Sequence, residues 1–311
     1  MHLDILTTGY PSTDYIMKVN HLPRQGETGI LLKPPGVASP SLGGCPNNIA
    51  VAVARLGLRS GVITVIGDDK RGKNVKKILH REQVEIQGVH VVEGEDTSLT
   101  YLFFDADGNH QTYFYPGASD LGQFKLSLKD EWAEGIQWGV ITVGNASHNL
   151  QVNNWFVKHD IPVLWSLRND PYSYPDKLIT RLLKTSTIIV MNEAEAEQLK
   201  KMQDIHSFQP LFREGIKAAI VTLGAEGSRV LEPDSVKHVP GVQPTRIVDP
   251  TGAGDGFVGG LLFGLCSGYS TAKAARFGSV VASFALEDWG CQTNLPSRSE
   301  LKKRYETAFK D

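Results

Sequence analysis

Short apolar runs rich in valine, isoleucine and threonine alternate with longer stretches of helical periodicity along most of this chain. That rhythm narrows the fold more than any single motif does. The runs are LDILTTG (3–9), GVITVIG (61–67), GVITVG (139–144), PVLWSL (162–167), STIIVMN (186–192) and AAIVTLG (218–224), and helical stretches follow at 47–56, 74–81, 150–159 and 193–202. Runs that are apolar at consecutive positions need cover on both faces, and a strand–helix–strand order supplies it by laying successive strands parallel. The expectation is an α/β chain with a mostly parallel central sheet and helices on both faces. The final third reads as helices at 254–268, 270–287 and 297–309. With 311 residues, 41% of them apolar, there is material for one large core carrying a small subdomain.

Two regions break the rhythm. Residues 12–41 and 97–116 are extended in character but alternate polar with apolar positions. TSLTYLFFDADGNHQTYFYP reads as a hairpin turning at Asp107-Gly108, a turn-favouring pair. YIMKVN and TGILLK could pair with it, giving a small, mostly antiparallel sheet made from two insertions. Surface hairpins without a role fit the same pattern. A lid is the preferred reading, because lids commonly carry polar, half-exposed strands.

Charge and cysteine usage exclude several classes. Thirty-two Lys and Arg against 34 Asp and Glu leave no basic excess of the kind nucleic-acid binding requires. No uncharged apolar run reaches the roughly 18 residues of a membrane span, and MHLDILTTG has none of the marks of a signal peptide. Cys45, Cys266 and Cys291 are odd in number and lack metal-ligand spacing, which fits reduced thiols in a cytoplasmic protein.

Two stretches could hold phosphate. GDDKRGKN (67–74) follows a strand and fits G-x-x-x-x-G-K, but Asn74 stands where a P-loop needs a hydroxyl, and Asp68 and Asp69 would face the phosphate oxygens. A charged loop leading into a helix is the better reading. VDPTGAGDGFVGG (248–260) has five glycines in thirteen residues and no lysine. A helix opening at Gly254 would turn free backbone N–H groups and the positive end of its dipole toward an anion. Asp255 could then be a favourable first-turn carboxylate. Alternatively it is a base that accepts the proton of an alcohol attacking the phosphoryl group held beside it.

Several segments, in order, carry a family resemblance: GGCPNNIAVAVARLG (43–57), IGDD (66–69), MNEAE (191–195), VTLGAEGS (221–228) and DPTGAGDGFVGG (249–260). Together they resemble the ribokinase (PfkB-type) family of sugar and nucleoside kinases over nearly the whole chain. The resemblance implies one ribokinase-like kinase domain spanning 1–311, a three-layer fold with a β-sheet lid from about 12–41 and 97–116, and a homodimer formed through that lid. It implies transfer of the γ-phosphoryl group of ATP, with Mg2+, to a primary hydroxyl.

By the same resemblance Asp255 is the general base, and Gly252, Ala253 and Gly254 form the anion hole. Asp14, Gly43, Gly44 and Asn48 hold the acceptor; a carboxylate and an amide suit adjacent hydroxyls. Asn192, Glu195, Thr222, Gly224 and Gly227 serve ATP, with Asn192 and Glu195 reaching Mg2+ through water. Read without the family, Asn192 and Asn48 are helix-cap residues and Glu195 a solvated carboxylate. Asp249 and Thr251, with the loop around Gly290 and Asn294, resemble the site for a monovalent cation, K+, in some members.

Departures from the family pattern bear on the acceptor. Gly144 and Asn145 stand where many of its sugar kinases carry an acid, Ser166 replaces the acid of D-x-N, and Cys45-Pro46-Asn47 differs from GGKGAN. GCQTNLPS (290–297) and the 103–118 hairpin look more like archaeal-type nucleoside kinases, which implies a ribonucleoside acceptor. Tyr101, Phe103, Tyr113, Phe114 and Tyr115 could stack on its base, though their spacing equally fits sheet core or a dimer interface. A phosphosugar acceptor would need extra cations, for which Arg168 and Lys33 are candidates. A non-catalytic binding protein of the same shape is the rival from another class.

Overall fold

The computed structural model of the chain describes residues 2–32, 40–107, 109–122, 124–170 and 172–310. Lys33 and the Gly108 of the expected turn lie outside them. Seven parallel strands run side by side in the order Val89–Val92, Ser60–Gly67, Ile5–Thr8, Trp138–Ile141, Val163–Ser166, Ser186–Asn192 and Ala218–Thr222. Ser228–Glu232 and Ser235–Val239 extend the sheet as antiparallel edge strands.

Alternation along each strand divides the core in two. Leu6, Ile141, Trp165 and Ile189 face helices Ala146–Lys158, Asp176–Thr185 and Glu193–Met202. Their neighbours Ile5, Val140, Leu164 and Val190 face helices Cys45–Arg55 and Ala253–Cys266. Both layers are buried, as the uninterrupted apolar runs require.

The strand order reverses beside Ile5–Thr8. From it the chain builds outward to Val89–Val92, then returns to its other side with Trp138–Ile141. Such a switch point leaves a crevice beyond the carboxyl ends of the strands, where ligands bind in open α/β sheets.

Ala253–Cys266 and Thr271–Ala285 form a helix pair packed almost backbone to backbone. A methyl group added at Gly260 would lie 2.4 Å from the Phe277 carbonyl oxygen, and one at Gly264 would lie 2.6 Å from Ala274 Cα. At Gly259 it would meet the Ala52 methyl at 2.5 Å. The later glycines of the 248–260 stretch therefore serve helix packing, leaving Gly252 and Gly254 for the loop.

A second, five-stranded sheet joins Ser12–Val19, Leu31–Leu32, Ser41–Gly43, Thr97–Phe104 and His110–Gly117. Its central pairing, Ser12–Val19 with Thr97–Phe104, is parallel; the others are antiparallel. The expected pairing of YIMKVN with the 97–116 hairpin is present, but parallel. TGILLK contributes only a two-residue strand.

Side-chain caps explain where helix starts move. Asp69 accepts the Gly72 N–H at 2.8 Å and starts its helix at Lys70 rather than 74. That carboxylate occupies the N–H a phosphate would need, so GDDKRGKN is a capped helix start. Asn145 accepts from Ser147 and His148 and starts its helix at Ala146. Asp176–Thr185 was not anticipated, because it passes into the strand at Ser186 without a glycine or proline to mark its end.

Candidate active site

Strand ends and the second sheet together enclose a cleft of about 670 Å³. Tyr10 follows the first strand, Val143 the fourth in sheet order, Arg168 and Asp170 the next; Asn192 and Thr222 end the two after that. Thr251, Gly252, Gly254 and Asp255 form its floor at the start of helix Ala253–Cys266. Asp14, Gly44 and Asn48 line the side nearest the second sheet, whose Thr100, Leu102, His110, Thr112 and Phe114 roof it. Glu195 and Gly224 line the opposite end.

The floor is shaped by backbone. Gly252 is left-handed at φ +80° and caps the helix, and a Cβ there would strike Cys291 Cβ at 2.6 Å. Ala253 N–H closes a turn on the Pro250 carbonyl at 3.4 Å. Among the described residues, no acceptor takes the N–H of Gly252, Gly254 or Asp255. Three donors at a helix start therefore face the cleft in position for an anion. The third comes from Asp255 itself, with Ala253 less available.

Asp255 is almost wholly buried, and both its oxygens are held. Oδ2 accepts from Asn48 Nδ2 at 2.8 Å, while Oδ1 accepts from Arg168 at 2.7 Å in an ion pair. Asn48 is braced in turn, its Oδ1 accepting from Gln292 Nε2 at 2.8 Å. Gln292 and the nearby Cys291 were not assigned to the reaction centre by sequence, and Arg168 was a candidate there only for the phosphate of a phosphosugar. Each meets its partner only through the fold, Gln292 and Asn48 being 244 positions apart.

Asp14 sits with its carboxylate against Gly43, where a Cβ would lie 1.9 Å from Oδ2; no larger residue fits there. Burial drives its pKa up from 3.8 to about 6, opposed by the Ser12 and Thr100 hydroxyls and reinforced by the charge of Asp255. Burial also pushes the Cys45 thiol up to about 12, and that of Cys291 well above its usual range, so both are neutral thiols.

At the other end, Asn192 and Glu195 form a reciprocal capping box. Asn192 Oδ1 accepts the Glu195 N–H at 2.8 Å, and Glu195 Oε2 accepts the Asn192 N–H at 2.7 Å. The cap reading of Asn192 therefore describes its present contacts, and Glu195 is buried rather than solvated. Gly227 lies outside the cleft; at φ +97° it makes the turn into the edge strands, tight against the Val239 carbonyl. Asp249 is buried behind the floor, accepting from Thr251 N and Gly290 N at 2.9 Å each. Thr251 Oγ1 is buried with no partner.

Of the five aromatics considered for base stacking, only Phe114 lines the cleft, its ring 4.9 Å from that of Tyr10. Tyr101, Phe103, Tyr113 and Tyr115 alternate onto the other face, where Tyr101 pairs with Tyr15 and Phe103 with Tyr113. Base stacking by those four is thereby excluded from this cleft.

The fold and cleft together are those of a ribokinase-like small-molecule kinase. Residues 32–298 match the profile of the pfkB family carbohydrate kinases, and the chain belongs to that family. A nucleoside kinase of Methanothermobacter thermautotrophicus is 27% identical over 306 residues, covering 97% of this chain and 95% of the relative. The crystal structure of the Methanocaldococcus jannaschii nucleoside kinase, an archaeal member of the ribokinase family, is similar at TM-score 0.86 and 25% identity. It covers 98% of this chain and 99% of its own. The Burkholderia thailandensis nucleoside kinase in complex with ADP-inosine gives 0.80 and 25%, over 99% and 96%. The protein is thus a phosphotransferase of the sugar and nucleoside kinase class, and use of ATP follows from the family.

Proposed function

We propose that this enzyme transfers the γ-phosphoryl group of ATP to the primary hydroxyl of a ribonucleoside, with Asp255 as general base. The observation that carries the reading is the position of Asp255. Its carboxylate adjoins three unspent N–H groups on one side and the Asn48–Asp14 wall on the other. A phosphoryl group on those N–H groups and a hydroxyl on that wall would meet at Asp255.

In the reaction, Asn48 and Asp14 orient the acceptor's hydroxyls. Asp255 takes the proton of the primary hydroxyl, whose oxygen attacks the γ-phosphorus in line as the bond to ADP breaks. The N–H groups of Gly252, Gly254 and Asp255 hold the charge spread over the transferred oxygens. Asn192 and Glu195 offer the oxygen ligands that hydrated Mg2+ favours, and the ion would draw charge from the phosphates when bound. Asp249 and the unpartnered Thr251 hydroxyl suit a monovalent cation behind the floor. The second sheet roofs the acceptor as a lid, and its closure keeps water from the phosphoryl group.

The nucleoside preference rests on three things: the Tyr10–Phe114 pair in the cleft wall, the nucleoside kinases among the relatives, and inosine in the Burkholderia complex. We place the enzyme in the cytoplasm, consistent with its free cysteines. The exposed Leu31, Tyr101, Tyr113 and Tyr115 on the outer face of the lid suit a homodimer contact.

An ADP-release panel of nucleosides, ribose, fructose, inositol and phosphosugars tests the acceptor. A free hexose turned over best would refute the nucleoside assignment. Asp255→Asn is expected to lower kcat by roughly 10²–10⁴-fold with ATP binding retained; wild-type turnover would remove Asp255 as base.

A further inference from the structure

The 248–260 stretch, proposed above to hold the phosphoryl group, has no lysine. Among the described residues lining the cleft, the one Lys or Arg is Arg168, at the end of strand Val163–Ser166. Its guanidinium is 2.7 Å from Asp255 Oδ1. It also lies over the anion-binding turn, because a Cβ built on Gly254 would come within 3.0 Å of it. Arg168 therefore touches the base and overhangs the place where the transferred group would sit. Its side chain is 28% exposed while that of Asp255 is 5% exposed, so the cation fronts the cleft and the carboxylate lies behind it.

We propose that Arg168 is a catalytic residue that exchanges partners as ATP enters. Without nucleotide it covers Asp255. With ATP bound, its guanidinium moves to the γ-phosphoryl oxygens and uncovers the carboxylate. This rests on the reading of Asp255 as base.

Charge sets the direction of the exchange. A terminal phosphoryl group offers more negative charge and more acceptor oxygens than a single carboxylate, and guanidinium binds such oxygens in pairs. Asp255 need not move when its cation leaves, because Asn48 still holds Oδ2 and is itself fixed by Gln292. With the guanidinium moved away, Oδ1 of Asp255 is open to the acceptor hydroxyl only once the phosphoryl group is in place. Arg168 transfers no proton. Asp255 takes the hydroxyl proton, the new O–P bond forms, the old one breaks, and ADP leaves with its electron pair. The arginine stabilises the charge on the three oxygens in passage.

Calorimetry on Arg168→Gln and Arg168→Lys tests this, with Mg·ADP and with the Mg complex of the non-hydrolysable imido analogue of ATP. Circular dichroism checks that both variants fold. For Arg168→Gln, analogue affinity is expected to fall by about 10-fold or more while ADP affinity stays within about twofold. Turnover should drop by roughly 10³-fold, and added guanidinium ion should restore part of it. Arg168→Lys should lie between. Equal losses for ADP and analogue, or unchanged analogue binding, would overturn the proposal. The binding readout needs no acceptor and no base, so it stands even if the nucleoside panel fails. Conversely, an active wild type, an inactive Asp255→Asn and an undiminished Arg168→Gln would refute the arginine alone.

Discussion

Asp14→Asn should make the ligand-free enzyme more stable, and increasingly so as pH rises. Asp14 is 6% exposed, and its pKa goes from 3.8 to about 6 on folding, chiefly through lost hydration. Between those values the folded state holds a proton that the unfolded state releases. Stability therefore falls as pH climbs from about 4 to about 6, then levels off at the full penalty. At about 1.4 kcal/mol per unit, the penalty reaches about 1.6 kcal/mol at pH 5 and about 3 kcal/mol at pH 8. Asparagine nearly matches the shape and cannot ionise. Any pH-independent cost of the amide cancels when the two pH values are compared. The advantage of Asp14→Asn over wild type should therefore grow by roughly 1.4 kcal/mol from pH 5 to pH 8. Urea unfolding of both proteins at each pH, without ligands, measures it. A difference that stays constant, or shrinks, would refute burial as the cause. In kinetics the same carboxylate should lower the acceptor's KM as pH rises through about 6, and Asp14→Asn should remove that dependence.

Other substitutions probe separate parts of the cleft. Phe114→Ala should raise the nucleoside KM by roughly 10-fold while leaving ribose unaffected; equal effects would take Phe114 off the base. Glu195→Gln, which weakens the capping box, should cost about 1 kcal/mol in thermal unfolding and raise the Mg2+ concentration needed for half-maximal rate. Asp249→Ala should abolish any stimulation by K+ over Na+, measured as initial rates in matched salts. Gly260→Ala, which drives a methyl into the Phe277 carbonyl, should destabilise by roughly 1–3 kcal/mol in denaturant.

Periodicity alone located the seven parallel strands' core segments save Val89–Val92, because a strand buried on both faces leaves an unbroken apolar record. The second sheet was legible as extended chain but not in its pairing. Parallel contact between Ser12–Val19 and Thr97–Phe104 depends on partners some eighty residues apart, which alternation cannot reveal. Motifs singled out Asp14, Asn48, Asn192, Thr222 and Asp255, and the fold gathers all five into one cleft. In sequence Arg168 is only a candidate cation for a phosphosugar; its pairing with Asp255 was hidden because an arginine after a strand has no distinctive spacing, and only the crevice brings it to a carboxylate 87 positions on. Which face Phe114 takes was equally hidden, since a one-residue change of register would reverse it.

The near contact of helices Ala253–Cys266 and Thr271–Ala285 also decides which parts of the enzyme can move. Backbone wedged against backbone leaves no room for one helix to slide along the other, so Asp255 and its N–H groups ride on a stiff mount. On the proposed reading, opening for the acceptor then falls to the second sheet, which meets the cleft through side chains such as Thr100, Thr112 and Phe114. Machinery for transfer and means of selection are thereby built into different mechanical parts. With Asp255 as the base proposed above, a lineage with this plan can exchange one acceptor for another by rewriting strands of the roof, without disturbing the tip of the helix.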